Sequence, residues 1–454
     1  DTTATRWNSD IEAYRIEAGV YGVVHNGYWQ AKLYYYDSER GLPGAIVKNI
    51  WQNGERQGDK NFFAQATFVK DKLQLNGKFA YDYTHYLSRD TVQFLQENVT
   101  KKMQFDNTYY QQDWYLSAVN MYSILPVWDV SLSVDFQYNK LNAVMRGVGT
   151  PFTFPQRYTT WAALATALNL GKWKLQADVL GTFVIEKVRN NVEAPDKSEF
   201  SPALIVGYKP FSNQDLNLRA FYKRIFRLPT FNDLYYAQIG FSQLNPEFTN
   251  QFNIGGSYQK TFKTGMIDRI ALQMDVYYAA ITDKIIAAPT GSSFRWMMTN
   301  MGKVESKGVD VSTAVSGHVG LLKLHTNLAY SFTKAQDFTK INGKKLSSYG
   351  DQIPYTPWHS GSVIAGAEYG TWALNYSFIY VGERYNGAVN NIPRNYVEPW
   401  YTHDFSLQKE FRIRSRYLLK ASVEMNNALN QNYDVVLNYP MPGRNFRFVI
   451  GFSL

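Results

Sequence analysis

The groups in this chain that could do covalent or metal chemistry are few and poorly placed for it. Ser331 and Lys334 form a Ser-x-x-Lys pattern, the spacing at which a lysine at a helix start assists a serine nucleophile. Here the pair lies on an alternating stretch that reads as a strand. The six histidines, at positions 25, 85, 318, 325, 359 and 403, show no metal-ligand spacing. The chain has no cysteine, which excludes disulfides, thiolate metal sites and a cysteine nucleophile. Asn98-Val-Thr is a glycosylation sequon by pattern only. Catalysis is therefore not expected, and recognition without bond making is. Its candidates are aromatic and arginine side chains in the connections: Trp51, Tyr235, Tyr236, Arg295, Trp296, Tyr385, Trp400 and Tyr439. Such residues dominate binding surfaces, and they also populate membrane–water interfaces.

The elements that position these residues are legible in periodicity. The closing stretch Arg444–Leu454 alternates strictly. Phe446, Phe448, Ile450, Phe452 and Leu454 form one face, and Asn445, Arg447, Val449, Gly451 and Ser453 the other. Successive strand residues point to opposite sides, so this is an apolar stripe with a polar back, about ten residues long, as a tilted membrane strand requires. The pattern recurs at Leu73–Tyr83, Val130–Tyr138, Trp173–Ile185, Ile270–Tyr278, Leu322–Phe332, Trp372–Tyr380 and Tyr417–Met425. The chain as a whole reads as about 19 strands, with aromatics near their ends.

Composition agrees. The 454 residues include 34 Tyr, 28 Phe and 11 Trp, and the mean hydropathy is negative. No run approaches 18 apolar residues, so no transmembrane helix is available; a β-barrel needs only alternate residues to be apolar. The net charge of +9 is scattered without a basic block, which argues against nucleic acid and for an anionic surface or ligand. The chain opens on Asp1-Thr-Thr-Ala-Thr, with neither signal peptide nor initiator methionine, and reads as processed or truncated.

The connections alternate in length. Short ones fall at His25–Tyr28, Val69–Lys72, Leu125–Trp128, Asn169–Lys172, Pro210–Gln214, Phe262–Met266, Gly317–Gly320, Tyr369–Thr371 and Phe411–Ser415. Long ones lie between them, among them Thr84–Gln112, Phe226–Asn250, Ile281–Gly302, Lys334–Trp358 and Asn427–Gly443. Outer-membrane barrels pair short periplasmic turns with long extracellular loops, and a soluble sandwich has no reason to sort loops by parity. The expected fold is thus all-β, a transmembrane antiparallel β-barrel in the outer membrane of a Gram-negative cell. By the same parity Ile11–Val24 runs toward the periplasm, and so does the final strand. An odd number of strands is then absent from the N-terminal side, since open edges in lipid are costly.

Several boxes carry a family resemblance. They are Phe226-Arg-Leu-Pro-Thr-Phe-Asn-Asp-Leu-Tyr-Tyr with Leu244-Asn-Pro-Glu-Phe, then Asn300-Met-Gly-Lys-Val-Glu-Ser-Lys-Gly-Val-Asp, then Asn426-Asn-Ala-Leu-Asn-Gln-Asn-Tyr, and Pro442-Gly-Arg-Asn-Phe. In this order they resemble the C-terminal barrel of TonB-dependent outer-membrane receptors, over essentially the whole chain. Tyr36-Asp-Ser-Glu-Arg-Gly-Leu-Pro-Gly is similar to an early barrel loop of such receptors in Bacteroidetes. The motif residues that match are Arg227, Pro229, Asn232, Asn245, Pro246, Glu247, Gly302, Gly308, Asn427 and Gly443. Each box has an architectural reading beside that of ligand contact: Pro229 ends ladder pairing, Asn232 and Asp233 suit a local turn, Glu247 marks the start of the next strand, Gly302 and Gly308 flank a strand start, and Asn427 lies in a turn.

The resemblance implies a 22-stranded barrel filled by an N-terminal plug bearing a TonB box. Neither plug nor box lies in this sequence. It further implies active uptake of a scarce nutrient, energised by the inner-membrane TonB complex through the plug. The closing boxes most resemble cobalamin receptors, so a corrinoid is the expected ligand. A ferric siderophore comes next. Haem is third, because no histidine falls between Phe226 and Phe248. No cofactor is expected; loop calcium, a surface lipoprotein partner and outer-membrane lipid are compatible with the pattern. A structural barrel subunit without a transport cycle, or a passive porin, are the alternatives.

Overall fold

The computed structural model describes residues 7–46, 54–88, 91–94, 99–102, 105–146, 152–190, 193, 195–236, 240–290, 295–413 and 417–453. Nineteen long strands form one sheet: β1 Ile11–Val24, β2 Gly27–Leu42, β3 Glu55–Lys70, β4 Leu73–Ser88, β5 Phe105–Leu125, β6 Trp128–Arg146, β7 Gln156–Leu170, β8 Trp173–Lys187, β9 Lys197–Tyr208 and β10 Asp215–Arg227. After them come β11 Glu247–Thr261, β12 Ile267–Thr290, β13 Arg295–Val319, β14 Leu322–Asp337, β15 His359–Tyr369, β16 Trp372–Val381, β17 Trp400–Ile413, β18 Tyr417–Asn426 and β19 Asn445–Ser453. Every strand pairs antiparallel with its sequence neighbour, from Ile11↔Arg40 to Asn426↔Asn445. Among the described residues each edge strand, β1 and β19, is paired on one side only. The expected strand count and loop parity both hold.

The alternation seen in the sequence becomes a two-faced wall. Outward residues include Val130, Leu132, Val134 and Phe136 on β6, and Phe446, Phe448, Ile450 and Phe452 on β19. Phe448 and Ile450 are 75% and 77% exposed, as lipid-facing residues of a barrel are. Their interleaved neighbours face inward and bond one another: Asn61 donates to Asp82 at 2.6 Å, Tyr115 to Asp135 at 3.0 Å, and Arg219 to Asp275 at 2.6 Å. Ser331 donates to Asp310 at 2.6 Å on the inner face, whereas Lys334 lies over the Trp358 ring. Strand residues three apart point to opposite sides, so the Ser-x-x-Lys pair never meets.

The long connections are less loop-like than expected. β12 and β13 pair without interruption up to Thr290↔Arg295, through what the sequence reading takes as a loop at Ile281–Gly302. Gly302 and Gly308 are consequently interior to β13 rather than flanking its start. Alternation of apolar residues ends where the membrane ends, but backbone pairing needs no lipid and continues beyond it. Thr84–Gln112 likewise holds strand ends and a hairpin, Thr91–Phe94 with Val99–Lys102. Buried side chains gather at this end of the barrel in three apolar clusters, centred on Val304, Leu141 and Leu234.

Candidate functional site

The Arg227 box folds inward. β10 ends at Arg227, and Pro229 brings no N–H to continue the ladder. The Asp233 N–H donates to Thr230 Oγ1 at 3.2 Å, while Asp233 Oδ2 accepts the Thr230 N–H at 2.9 Å. This reciprocal cap starts a one-turn helix, α1 Phe231–Tyr235, where the sequence reading has only a local turn at Asn232 and Asp233. Asn232 is exposed, whereas Phe231 and Leu234 are buried.

The wall that receives α1 is built around an ion pair. Arg157 on β7 and Glu186 on β8 are register partners, 8% and 5% exposed. Arg157 Nε donates to Glu186 Oε1 at 2.8 Å, its Nη1 donates to the Pro229 carbonyl at 2.8 Å, and its guanidinium lies 5.0 Å from the centre of the Phe231 ring. One buried cation therefore holds a carboxylate, a carbonyl and an aromatic face together.

Tyr235 ends α1 and Tyr236 caps it, and both are packed in, not presented at a tip. Tyr236 stacks on Tyr109 of β5 with ring centres 4.1 Å apart, and Tyr235 packs against both the Leu141 and Leu234 clusters. Burial pushes both phenols up to about 12, with the Glu186 charge adding to the effect on Tyr235. The other motif residues close the same fold. Glu247 Oε2 accepts the Ile285 N–H at 3.0 Å and Arg227 Nη1 at 3.4 Å. Asn300 accepts the Asn245 N–H at 2.8 Å and donates to the Asn245 and Asp283 carbonyls at 3.1 and 2.7 Å. Pro246 stands between them, directly before β11.

A second assembly joins the connections after β14, β16 and β18. Gln352, fully buried, accepts the Ala335 N–H at 3.0 Å and donates to the carbonyls of Thr333 and Thr356. Asn390 exchanges two bonds with the Gln352 backbone, at 2.7 and 3.0 Å. Arg384, 3% exposed, donates to the carbonyls of Gly382, Glu398, Asp434 and Val435, and burial lowers its pKa. Tyr385 meets Tyr396 edge-on, Trp400 stacks on Tyr433 at 4.7 Å, and Tyr439 pairs with Val436 in a short hairpin. Asn427, with φ of 49°, donates to the Gln431 carbonyl at 2.8 Å and accepts the Gln431 N–H at 2.9 Å. A Cβ on Gly443 would lie 2.6 Å from Asn430 Oδ1. Asn427 thus takes the turn role the sequence suggests.

Of the eight recognition candidates, then, Tyr235 and Tyr236 belong to the first assembly, and Tyr385, Trp400 and Tyr439 to the second. Trp51 and the side chains of Arg295 and Trp296 lie outside the described residues. The sequence reading misses Arg157, Glu186, Gln352 and Arg384. Arg157 carried a signal, being the one charged residue in the fifteen of β7; Gln352 lies in a polar loop with no pattern to mark it.

Near the first assembly the inner wall is hydrophilic. Across β3 to β6 it carries carboxylates and amides in separate bonded groups: Gln57 donates to Asp59, Asn61 to Asp82, and Gln111 and Asn139 to Asp113. Such a surface can hydrogen-bond a polar solute and offers no covalent chemistry. Among the described residues no three His, Asp or Glu side chains are placed to share a metal ion.

Solved structures share this fold at low identity. The unliganded ferric citrate transporter FecA matches with a TM-score of 0.71 at 14% identity, covering 98% of this chain and 70% of that one. BauA, the ferric preacinetobactin receptor from Acinetobacter baumannii, matches at 0.70 and 12%, covering 100% and 74%. The copper transporter OprC matches at 0.69 and 14%, covering 97% and 71%. Residues 6–428 match the family model described as TonB dependent receptor-like, beta-barrel, so the chain belongs to the TonB-dependent receptor family, outer-membrane transporters rather than enzymes.

Proposed function

We propose that this barrel takes up a corrinoid such as cobalamin, with a ferric siderophore as the second reading and haem the third. Membership in the family already carries the coarser statement, TonB-dependent uptake of a small-molecule nutrient across the outer membrane. The observation that supports a corrinoid is the set of amides Asn61, Gln111 and Asn139, with their carboxylate partners, near the Tyr109–Tyr236 stack. Amides both donate and accept, so such a wall complements a large rigid solute fringed with carboxamides. The siderophore reading is supported by the closing sequence boxes less well.

Transport also requires a gate and a closed wall. We propose that a plug carrying the TonB box, together with strands joining β1 to β19, comes from polypeptide outside the described residues; the single-sided pairing of both edge strands supports this. Intact mass of the protein from outer membranes tests that part. Equilibrium binding and cellular uptake of radiolabelled cyanocobalamin, against ferric siderophores and haem, tests the ligand. Saturable uptake of the corrinoid alone is the expected result. Uptake of a ferric siderophore with no corrinoid binding would refute the first reading.

A further inference from the structure

The outer surface of β13 and β14 carries a feature that uptake does not use. Going up the outward face of β13, Val311 and Val309 give way to Lys307, then Glu305 and Lys303; on β14, Tyr330 and Phe332 give way to Lys334. Val311↔Tyr330, Val309↔Phe332 and Lys307↔Lys334 are successive outward register pairs. The change from lipid-facing to cationic thus falls within one step of about 7 Å along the strand. It happens at the aromatic level that marks a membrane interface: Lys307 lies 5.6 Å from the centre of the Tyr278 ring, and Lys334 lies 5.9 Å from that of Trp358.

The connection after β14 doubles this surface. Phe338 donates its N–H to the Lys303 carbonyl at 2.8 Å, and Thr339 Oγ1 accepts the Lys303 N–H at 3.0 Å, which ties the loop to the backbone of β13 at Lys303. The hairpin Lys340–Ile341 with Lys344–Lys345 follows. Lys345 and Lys340 lie 4.5 and 5.9 Å from the centre of the Tyr349 ring. Gly302, Lys303, Glu305, Phe338, Thr339, Lys340 and Tyr349 line a hollow beside it. The hairpin also exposes two apolar side chains, Ile341 at 58% and Leu346 at 37%. Six lysines converge here, and Glu305, bonded to Lys303 at 2.9 Å, is the one carboxylate paired with any of them among the described residues.

We propose that this ledge binds the phosphorylated headgroup of an outer-leaflet lipid. The lysines at the interface supply the cations for phosphate, and the hollow beside β13 accommodates the polar head. A soluble anionic partner would have no use for a cationic row set at the membrane interface directly above a lipid-facing wall. The charge pattern also fits the physics of polybasic segments at anionic membranes, whose attraction is electrostatic and screened by salt.

The test uses the protein purified from outer membranes and a variant with Lys307, Lys334, Lys340, Lys344 and Lys345 each replaced by Gln. Both are reconstituted in nanodiscs, and a heat-dependent shift in gel mobility confirms that both barrels are folded. Retention of a bis-phosphorylated, multiply acylated diglucosamine lipid is measured by native mass spectrometry, with its dephosphorylated form and inorganic phosphate as controls. The expected result is at least a tenfold weaker retention by the variant, weak retention of the dephosphorylated lipid by both proteins, and loss of the difference at high salt. Equal retention by parent and variant would overturn the proposal, as would equal retention of the dephosphorylated lipid. Displacement by millimolar inorganic phosphate would assign the ledge to free phosphate rather than lipid, and would equally overturn it. None of these outcomes depends on which nutrient the barrel carries.

Discussion

Replacing Arg157 by Met should release the segment 228–236 from the inner wall without unfolding the barrel. Removing one member of a buried ion pair costs about 3–5 kcal/mol, because the remaining charge has no partner. Here that charge is Glu186, 5% exposed. Against it stands what the segment gains by staying packed, chiefly Phe231 and Leu234, each worth roughly 1.5–3 kcal/mol when fully buried. The two quantities are comparable, so Glu186 gains water at the cost of local opening rather than global unfolding. The loss of the Arg157 bond to the Pro229 carbonyl removes about 1 kcal/mol more. Amide hydrogen exchange of peptides spanning 228–236 should accelerate by about 10³ to 10⁴, at 1.4 kcal/mol per tenfold, while exchange in β7 and β8 stays unchanged. The double variant Arg157→Met with Glu186→Gln should recover most of the protection, since no charge is then stranded. Unchanged exchange in the single variant, or a double variant as open as the single, would refute the claim that this ion pair holds the segment.

Three further expectations follow from the same structure. Burial pushes the Tyr235 and Tyr236 phenols up to about 12 from near 10 when free; the neutral phenol is the packed form, so their contribution is complete below pH 10 and is lost as pH rises from 10 to 12, and the 295 nm absorbance difference between the parent and Arg157→Met should show late-titrating tyrosine lost in the variant. Gly308→Ala should lower the denaturation midpoint in lipid vesicles by about 1–3 kcal/mol of stability, because a Cβ there would lie 2.3 Å from Tyr277 Oη and 2.6 Å from the Phe332 carbonyl; adding Tyr277→Ala should restore part of it, and no restoration would show the backbone contact to dominate. Asn427→Ala should cost about 1–3 kcal/mol through lost buried hydrogen bonds, with Asn427→Gly milder because φ is 49°, both read from denaturant unfolding in the same vesicles.

The barrel was legible because lipid imposes a period of two on every strand, and one face of that period is apolar. Strand count, loop parity and the outward stripe of Phe446 to Phe452 all come from that single constraint. What the sequence obscured lies where lipid no longer dictates residue type. Above the membrane β12 and β13 continue with Ile285, Met298 and Met301 buried on no simple alternation, so strand read as loop. The aromatic residues Tyr235 and Tyr236 looked like recognition groups because composition cannot distinguish a tyrosine facing solvent from one stacked on Tyr109. Arg157 stood out as a lone charge, yet its partner Glu186 is 29 residues away and becomes adjacent only through the register of β7 with β8.

The paired length of β12 and β13 has a mechanical consequence. The 24 residues of β12 span roughly 80 Å at about 3.4 Å per residue, or about 55 Å along the membrane normal at a tilt near 45°. A hydrocarbon core of about 30 Å leaves the upper part of this hairpin standing as a mast above the cell surface. A protease, antibody or phage tail approaching from outside meets that mast before it meets the rim, so surface shaving of intact cells should cut there first.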